Sequence, residues 1–163
     1  MNYDSEPDTR EHIFQVAARL EAVCQELRLR GGRHDASKLD EVEKPMYDAA
    51  TPKLKLLVYG SNEYRDAVRD LGPALDHHHA LNSHHPEHYD NGVSGMDLLD
   101  LIEMYCDWAA ASLRGKDGDM SESVRINLMR FAVEEPLRDI INNTWKRYGG
   151  FSGRPESNTA FAR

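Results

Sequence analysis

The chain has 163 residues, 40% hydrophobic and 29% charged, and no apolar run approaches the roughly 20 residues that a membrane-crossing helix needs. Its formal net charge of −8 repels a phosphate backbone at long range, which argues against duplex nucleic acid as a partner and leaves a small phosphorylated ligand open, since a metal can supply the missing positive charge. Cys24 and Cys106, without a C-x-x-C spacing, read as two core thiols of a reduced cytoplasmic protein, and the acidic opening MNYDSEPDTREH lacks the pattern of a secretion signal.

This length suits one domain with one hydrophobic core, expected over residues 1–150 with 151–163 as a mobile tail. Residues 8–30 carry Ile13, Val16, Ala17, Leu20, Val23, Cys24 and Leu27 at helical spacing, after a capping box of Asp8 and Glu11 and before Gly31-Gly32 as a stop. RHDASKLDEVEKPMY follows, a turn at His34 and Asp35 leading into a short helix limited by Pro45. A third helix is expected over 53–71, with a break at Gly60-Ser61-Asn62. Pro73 to about Ser83 predicts a helical turn or two, ended by Pro86, and Asp90-Asn91-Gly92 reads as a turn. MDLLDLIEMYCDWAAASL, 96–113, is the strongest helix. A last helical region covers about 122–148, divided near Pro136. Without strand alternation the fold class is all-α. Trp145, Tyr148 and Phe151 near the tail suit either self-association into a homo-oligomer or closure of the core.

The chemistry concentrates in LDHHHALNSHHPEHYDNG, residues 75–92, which holds six of the eight histidines: His77, His78, His79, His84, His85 and His88. On the helix from Met96, Asp100, Glu103 and Asp107 fall within about 60° of one another, with Asp97 at the edge, among residues otherwise almost all apolar. A largely buried helix needs partners for its carboxylates, yet no Lys or Arg occurs from Asp70 through Leu113. Imidazoles and carboxylates together are the ligand set of Zn, Mn, Fe and Mg, so a bound cation explains this composition economically. Asp97 and Asp100 also suit the first turn of a helix, where the dipole favours acids. Asp107, farther along and beside Trp108, fits a metal ligand, while Glu103 suits orienting a ligand histidine. Adjacent His34 and Asp35 at a turn can face one metal together, or Asp35 or Ser37 can cap the next helix. His12 flanks the apolar stripe of the first helix one turn before Val16 and could point inward. If the helical turn persists, His78, Asn82 and His85 share a face; His77 and His79 are expected toward solvent or neighbours, and His88 in a turn.

Together these pieces resemble the HD superfamily of metal-dependent phosphohydrolases. EHIFQVAARLEAV is similar to its first helix, and HDASKL resembles its HD doublet in the form HD-x-G-K, with Ser37 in place of Gly. HHPEHYDNG is similar to elements of the HD-GYP phosphodiesterases, with VSG where Gly-Tyr-Pro would follow. The series His12, HDASK, Glu41, His77-His78, Asn82, His84-His85 and EMYCDW, spanning about residues 10–112, most resembles an uncharacterised phage and bacterial HD-like group. The resemblance implies an HD-like bundle of about five to seven helices. It implies metal ligands at His12, His34, Asp35 and Asp107, with His78, His84 and His85 matching positions used by two-metal members. One or two divalent ions, Mn, Fe, Mg, Co or Zn, would activate water for hydrolysis of a nucleotide or similar phosphoester. Lys38 would contact the phosphate, and Glu41 or Glu103 would act as base or hold the water. Two rival readings share these residues: an HD-like di-iron oxygenase, and a non-enzymatic helical domain binding a nucleotide or protein.

Overall fold

Apolar spacing that repeats every three to four residues leaves little room for strands, and the computed structural model, which describes residues 3–112 and 120–149, contains seven α-helices, three short 3-10 turns and no strand among the described residues. The expected mobile tail at 151–163 lies outside the described residues. By its contacts the chain divides into two units, Met1–His34 and Asp35–Arg163.

The first unit is a single long helix, α1 (Glu6–Arg33), with Pro7 in its first turn, the position where proline costs no hydrogen bond. It runs through the expected stop at Gly31-Gly32 and ends where His34 turns to φ −52°, ψ 127°. No residue of α1 is buried, and Cys24, expected in the core, is exposed.

The second unit opens with a left-handed residue, Asp35 at φ 56°, and a 3-10 turn over Ala36–Leu39. The next helix, α2 (Lys44–Leu54), has Pro45 in its first turn rather than at its end, because proline is pre-organised for a helix start. The helix expected over 53–71 is shorter than that: α2 ends at Leu54, residues 55–61 turn, and Ser61 caps α3 (Asn62–Arg69) by accepting from the Tyr64 amide at 3.1 Å. Helix α4 (Pro73–Leu81) carries three of the histidines and stops at Asn82 in an extended conformation. Short 3-10 turns at Pro86–His88 and Gly92–Gly95 lead to α5 (Leu98–Ser112). Pro136 separates α6 (Met120–Arg130) from α7 (Leu137–Tyr148).

The core joins one face of α5 (Met104, Tyr105, Trp108, Ala109) to Val124 and Leu128 of α6, Val133 of the turn that follows α6, and Ile141 of α7. Trp108 and Phe131 stack with planes 3° apart, and the Tyr105 hydroxyl donates to the Gly149 carbonyl at 2.6 Å, tying α7 back to α5. Trp145 packs against this core, whereas Tyr148 is exposed and Phe151 lies outside the described residues. Cys106 is exposed, not a core thiol, because the buried face of α5 is set by Met104, Tyr105 and Trp108. Among the described residues no helix is long and apolar enough to cross a membrane.

Candidate metal centre

The opposite face of α5 carries its acids, and they do two different things. Asp97 caps the helix, its Oδ1 accepting the amides of Leu99 at 2.7 Å and Asp100 at 2.9 Å. Asp100 is 1% exposed, and its carboxylate accepts the hydroxyls of Ser83 and Tyr89, each at 2.7 Å, and the Asp97 amide at 3.0 Å. Its hydrogen bond to Asp100, then burial, raises the pKa of the Tyr89 hydroxyl. This knot fixes the chain on both sides of His84 and His85 to the start of α5.

One and two turns further along, Glu103 and Asp107 face His84 instead. Oε1 of Glu103 is 3.2 Å from Nδ1 of His84, and ligand-type atoms of Asp107 and His84 lie within 4.8 Å of each other. On the other side, the 3-10 turn over Ala36–Leu39 and the start of α2 supply Asp35 and Glu43. Oxygens of Glu43, which is wholly buried, lie 3.0 Å from Nδ1 of His78 and 2.9 Å from Nδ1 of His77. Two buried imidazoles, His78 and His84, thus have the same environment: a carboxylate at Nδ1, and Nε2 directed at Asp35.

Those Nε2 atoms converge. Oδ1 of Asp35 is 3.2 Å from Nε2 of His78 and 3.5 Å from Nε2 of His84, and Nε2 of His85 is 2.9 Å from Nε2 of His78. Ligand-type atoms of Asp35, His78, His84 and His85 all lie within 4.8 Å of one another. Ligands about 2.1 Å from a shared ion stand about 3.0 Å apart at right angles and about 3.4 Å apart at the tetrahedral angle. The spacings and the donor chemistry both fit a divalent cation. Carboxylates at Nδ1 favour the tautomer that presents Nε2 lone pairs inward, the outer-shell arrangement of metal-binding histidines.

Protonation favours the same role. Burial, reinforced by His84, His78 and His79, lowers the pKa of His85 to about 2, so it keeps the neutral form that can ligate. Burial opposes ionisation of Asp35, but the neighbouring His78 and His84 imidazoles and the Lys38 ammonium outweigh it and hold the carboxyl far below its usual range. Lys38 donates to Oδ2 of Asp35 at 2.5 Å and lies 5.1 Å from the centre of the Tyr47 ring. Burial, with the charges of Glu43 and Asp35, pushes the Tyr47 hydroxyl up in turn. Ser37 and Asn82 close the back of the site: the Asn82 amide donates to Ser37 Oγ at 2.9 Å and to the His78 carbonyl at 2.7 Å.

Of the residues singled out from sequence, Asp35, His78, His84 and His85 meet, with Lys38, Glu103 and Asp107 beside them. His34 ends the first unit and is peptide-bonded to Asp35; His12 is an exposed residue of α1. Glu41 is exposed, and the acid that enters is Glu43, because Asp40 accepts the amides of Val42 and Glu43 and sets the turn that points residue 43 inward. Sequence reasoning missed Glu43 and also His79, which groups with His85 and Glu87 at the rim, where Arg130 of α6 reaches Glu87 at 2.6 Å. His88 is exposed, as expected of a turn residue, with Nδ1 2.9 Å from the His79 carbonyl. The expected shared helical face does not extend past Leu81; His85 instead returns to His78 through the loop at Asn82.

Residues 1–147 match the model of a family described as "Family of unknown function (DUF5662)". The chain belongs to this family. Nothing among curated proteins or solved structures matches the chain.

Proposed function

We propose that this member of the family is a divalent-metal-dependent hydrolase of a small phosphoester, with a nucleotide as the leading substrate class, built on an HD-like helical framework. The observation that carries the reading is the convergence of three imidazole Nε2 atoms and Oδ1 of Asp35, with His78 backed by the buried carboxylate of Glu43 and His84 by the part-buried one of Glu103. Asp35, His78, His84 and His85 would hold an ion, Mn, Fe, Co, Zn or Mg, with Asp107 beside His84 as a further ligand. Bound there, a divalent ion polarises a phosphate oxygen and makes a water nucleophilic near neutral pH.

The chain's own groups then have defined tasks. Lys38, half-buried and joined to Asp35, places an ammonium at the edge of the centre, where it offsets the charge of a phosphoryl group. Glu43 and Glu103 orient His78 and His84, so Glu103 acts as a positioning residue through its Oε1. His79, whose pKa burial lowers, stands beside His85 as a neutral imidazole able to take a proton at the rim. The negative net charge of the chain favours a small substrate over a nucleic-acid duplex.

The test is turnover of a panel of nucleoside monophosphates, deoxynucleotides and cyclic nucleotides by folded protein loaded in turn with Mn, Co, Mg, Fe and Zn. Hydrolysis that is lost in His84→Ala, read as phosphate from the monophosphates or as ring-opened monophosphate from the cyclic nucleotides, supports the proposal. No turnover from metal-loaded, folded protein contradicts it, and oxygen uptake by a coloured iron form in place of hydrolysis would transfer the same ligands to oxygen activation.

A further inference from the structure

A different part of the molecule carries an inference independent of the metal reading. Helix α1 is 28 residues long and buries none of them, although Ile13 and Leu20 are about as exposed as its charged residues, at 61% and 60%. An isolated helix gains little from propensity alone and is stabilised mainly by covering its apolar face. On α1 that face has a specific period. Ile13, Val16, Leu20, Val23 and Leu27 alternate spacings of three and four, the a and d positions of a coiled-coil seam.

The flanks of that seam say what covers it. With Ile13, Leu20 and Leu27 at a, one flank carries Ala17, Cys24 and Gly31, all small, and the other carries His12, Arg19 and Glu26. In a parallel pair each flank meets the opposite one, so Arg19 faces Cys24 and Glu26 faces Gly31, with no charge matched. In an antiparallel pair each flank meets its own kind. Layering Leu20 on Val23 and Val16 on Leu27 of the other copy brings Arg19 of each copy beside Glu26 of the other, while Ala17 meets Cys24 on the small flank and lets the helices approach closely. Sliding by one heptad sets Arg19 against Arg19, which disfavours the alternative register.

We infer that α1 is a self-recognition element: two copies of the chain pair through it antiparallel about a two-fold axis, with Leu20 and Val23 in the central layers and two Arg19–Glu26 ion pairs at the flanks. The seam is shorter than the three to four heptads of a self-sufficient coiled coil, so the pairing is weak and concentration-dependent.

Light scattering on the full chain across about 5 to 200 µM is expected to show a monomer–dimer equilibrium. Arg19→Glu should weaken dimerisation several-fold by setting two Glu residues together, and adding Glu26→Arg should restore it. Arg19 is exposed, whereas Glu26 is half-buried and pairs within α1 with Arg33 at 3.0 Å and Arg30 at 3.7 Å, so circular dichroism of each variant is used to check that α1 stays helical. In a Cys106→Ser background retaining Cys24, mild oxidation should cross-link Ala17→Cys into disulfide dimers and leave Arg19→Cys uncross-linked. Neither engineered pair can close within one helix, because positions five or seven residues apart exceed disulfide reach. A monomer at every concentration, indifference of the dimer to both charge variants, or cross-linking of Arg19→Cys in place of Ala17→Cys would overturn the inference.

Discussion

Asp100 is a buried carboxylate and Asp35 a part-buried one beside the same histidine loop, and their surroundings could hardly differ more. Asp100 meets two hydroxyls and one amide, neutral donors whose hydrogens satisfy a charge without any ion. Asp35 meets the Nε2 atoms of His78 and His84, whose Nδ1 atoms already face acids. An imidazole placed between two carboxylates must either carry a second proton inside the protein or present a lone pair to a cation. The contrast separates a carboxylate that holds the fold from one that the proposed function assigns to an ion.

The largest expected effect breaks this contrast from the metal side. His84→Ala removes the imidazole that contacts Asp35, Glu103 and Asp107, and is expected to reduce bound metal to background and hydrolysis by about a thousandfold or more, while the circular dichroism spectrum stays helical. Asp35→Asn is the gentler version: asparagine tolerates the same left-handed backbone, φ 56°, so the turn survives and only the charge is lost. Metal affinity should fall by about two orders of magnitude or more, and the metal-free protein should be somewhat less stable than wild type near neutral pH, since the ion pair with Lys38 and the lowered pKa of Asp35 favour the folded carboxylate. The matching change at Asp100, to Ala, should do the opposite, leaving metal stoichiometry intact in protein that remains folded and lowering unfolding free energy by about 3 kcal/mol, as expected for loss of hydrogen bonds to a buried charged group.

Two smaller effects sharpen the comparison. Glu43→Gln keeps the shape beside His77 and His78 but weakens the acceptor at Nδ1, and should reduce metal affinity about 10- to 100-fold without abolishing it, as measured by titration calorimetry. Tyr89→Phe deletes one hydroxyl from the Asp100 knot and should cost about 1–2 kcal/mol near neutral pH. Because the pKa of Tyr89 is raised in the folded state above its ordinary 10.0, its contribution is fully present below pH 10 and is lost only as pH climbs from there through the higher folded-state pKa. Urea unfolding of wild type and variant should therefore converge above that pKa.

How far the sequence carries this account depends on whether a residue sits in a periodic element. Helix α5 was legible because its apolar residues far outnumber its acids, and the gathering of Asp35, His78, His84 and His85 was legible as chemistry, imidazoles and acids in a stretch without cations. Glu43 was not, since DEVE forms a turn without period, where only the hydrogen bonds from Asp40 decide that residue 43 rather than 41 points inward. Pro45 was misread as a helix limit because proline marks a start as well as a stop. The return of His85 to His78 depends on the extended conformation at Asn82, a backbone choice that neighbouring residues alone do not specify.

Metal analysis of untagged protein, dialysed against Mn or Zn and freed of loosely bound ions, tests the central claim most directly when wild type, Asp35→Asn and Asp100→Asn are compared side by side. The account predicts at least one tightly held ion per chain in wild type and in Asp100→Asn, and essentially none in Asp35→Asn. Folded wild-type protein that retains no ion, or equal retention by all three proteins, would contradict it.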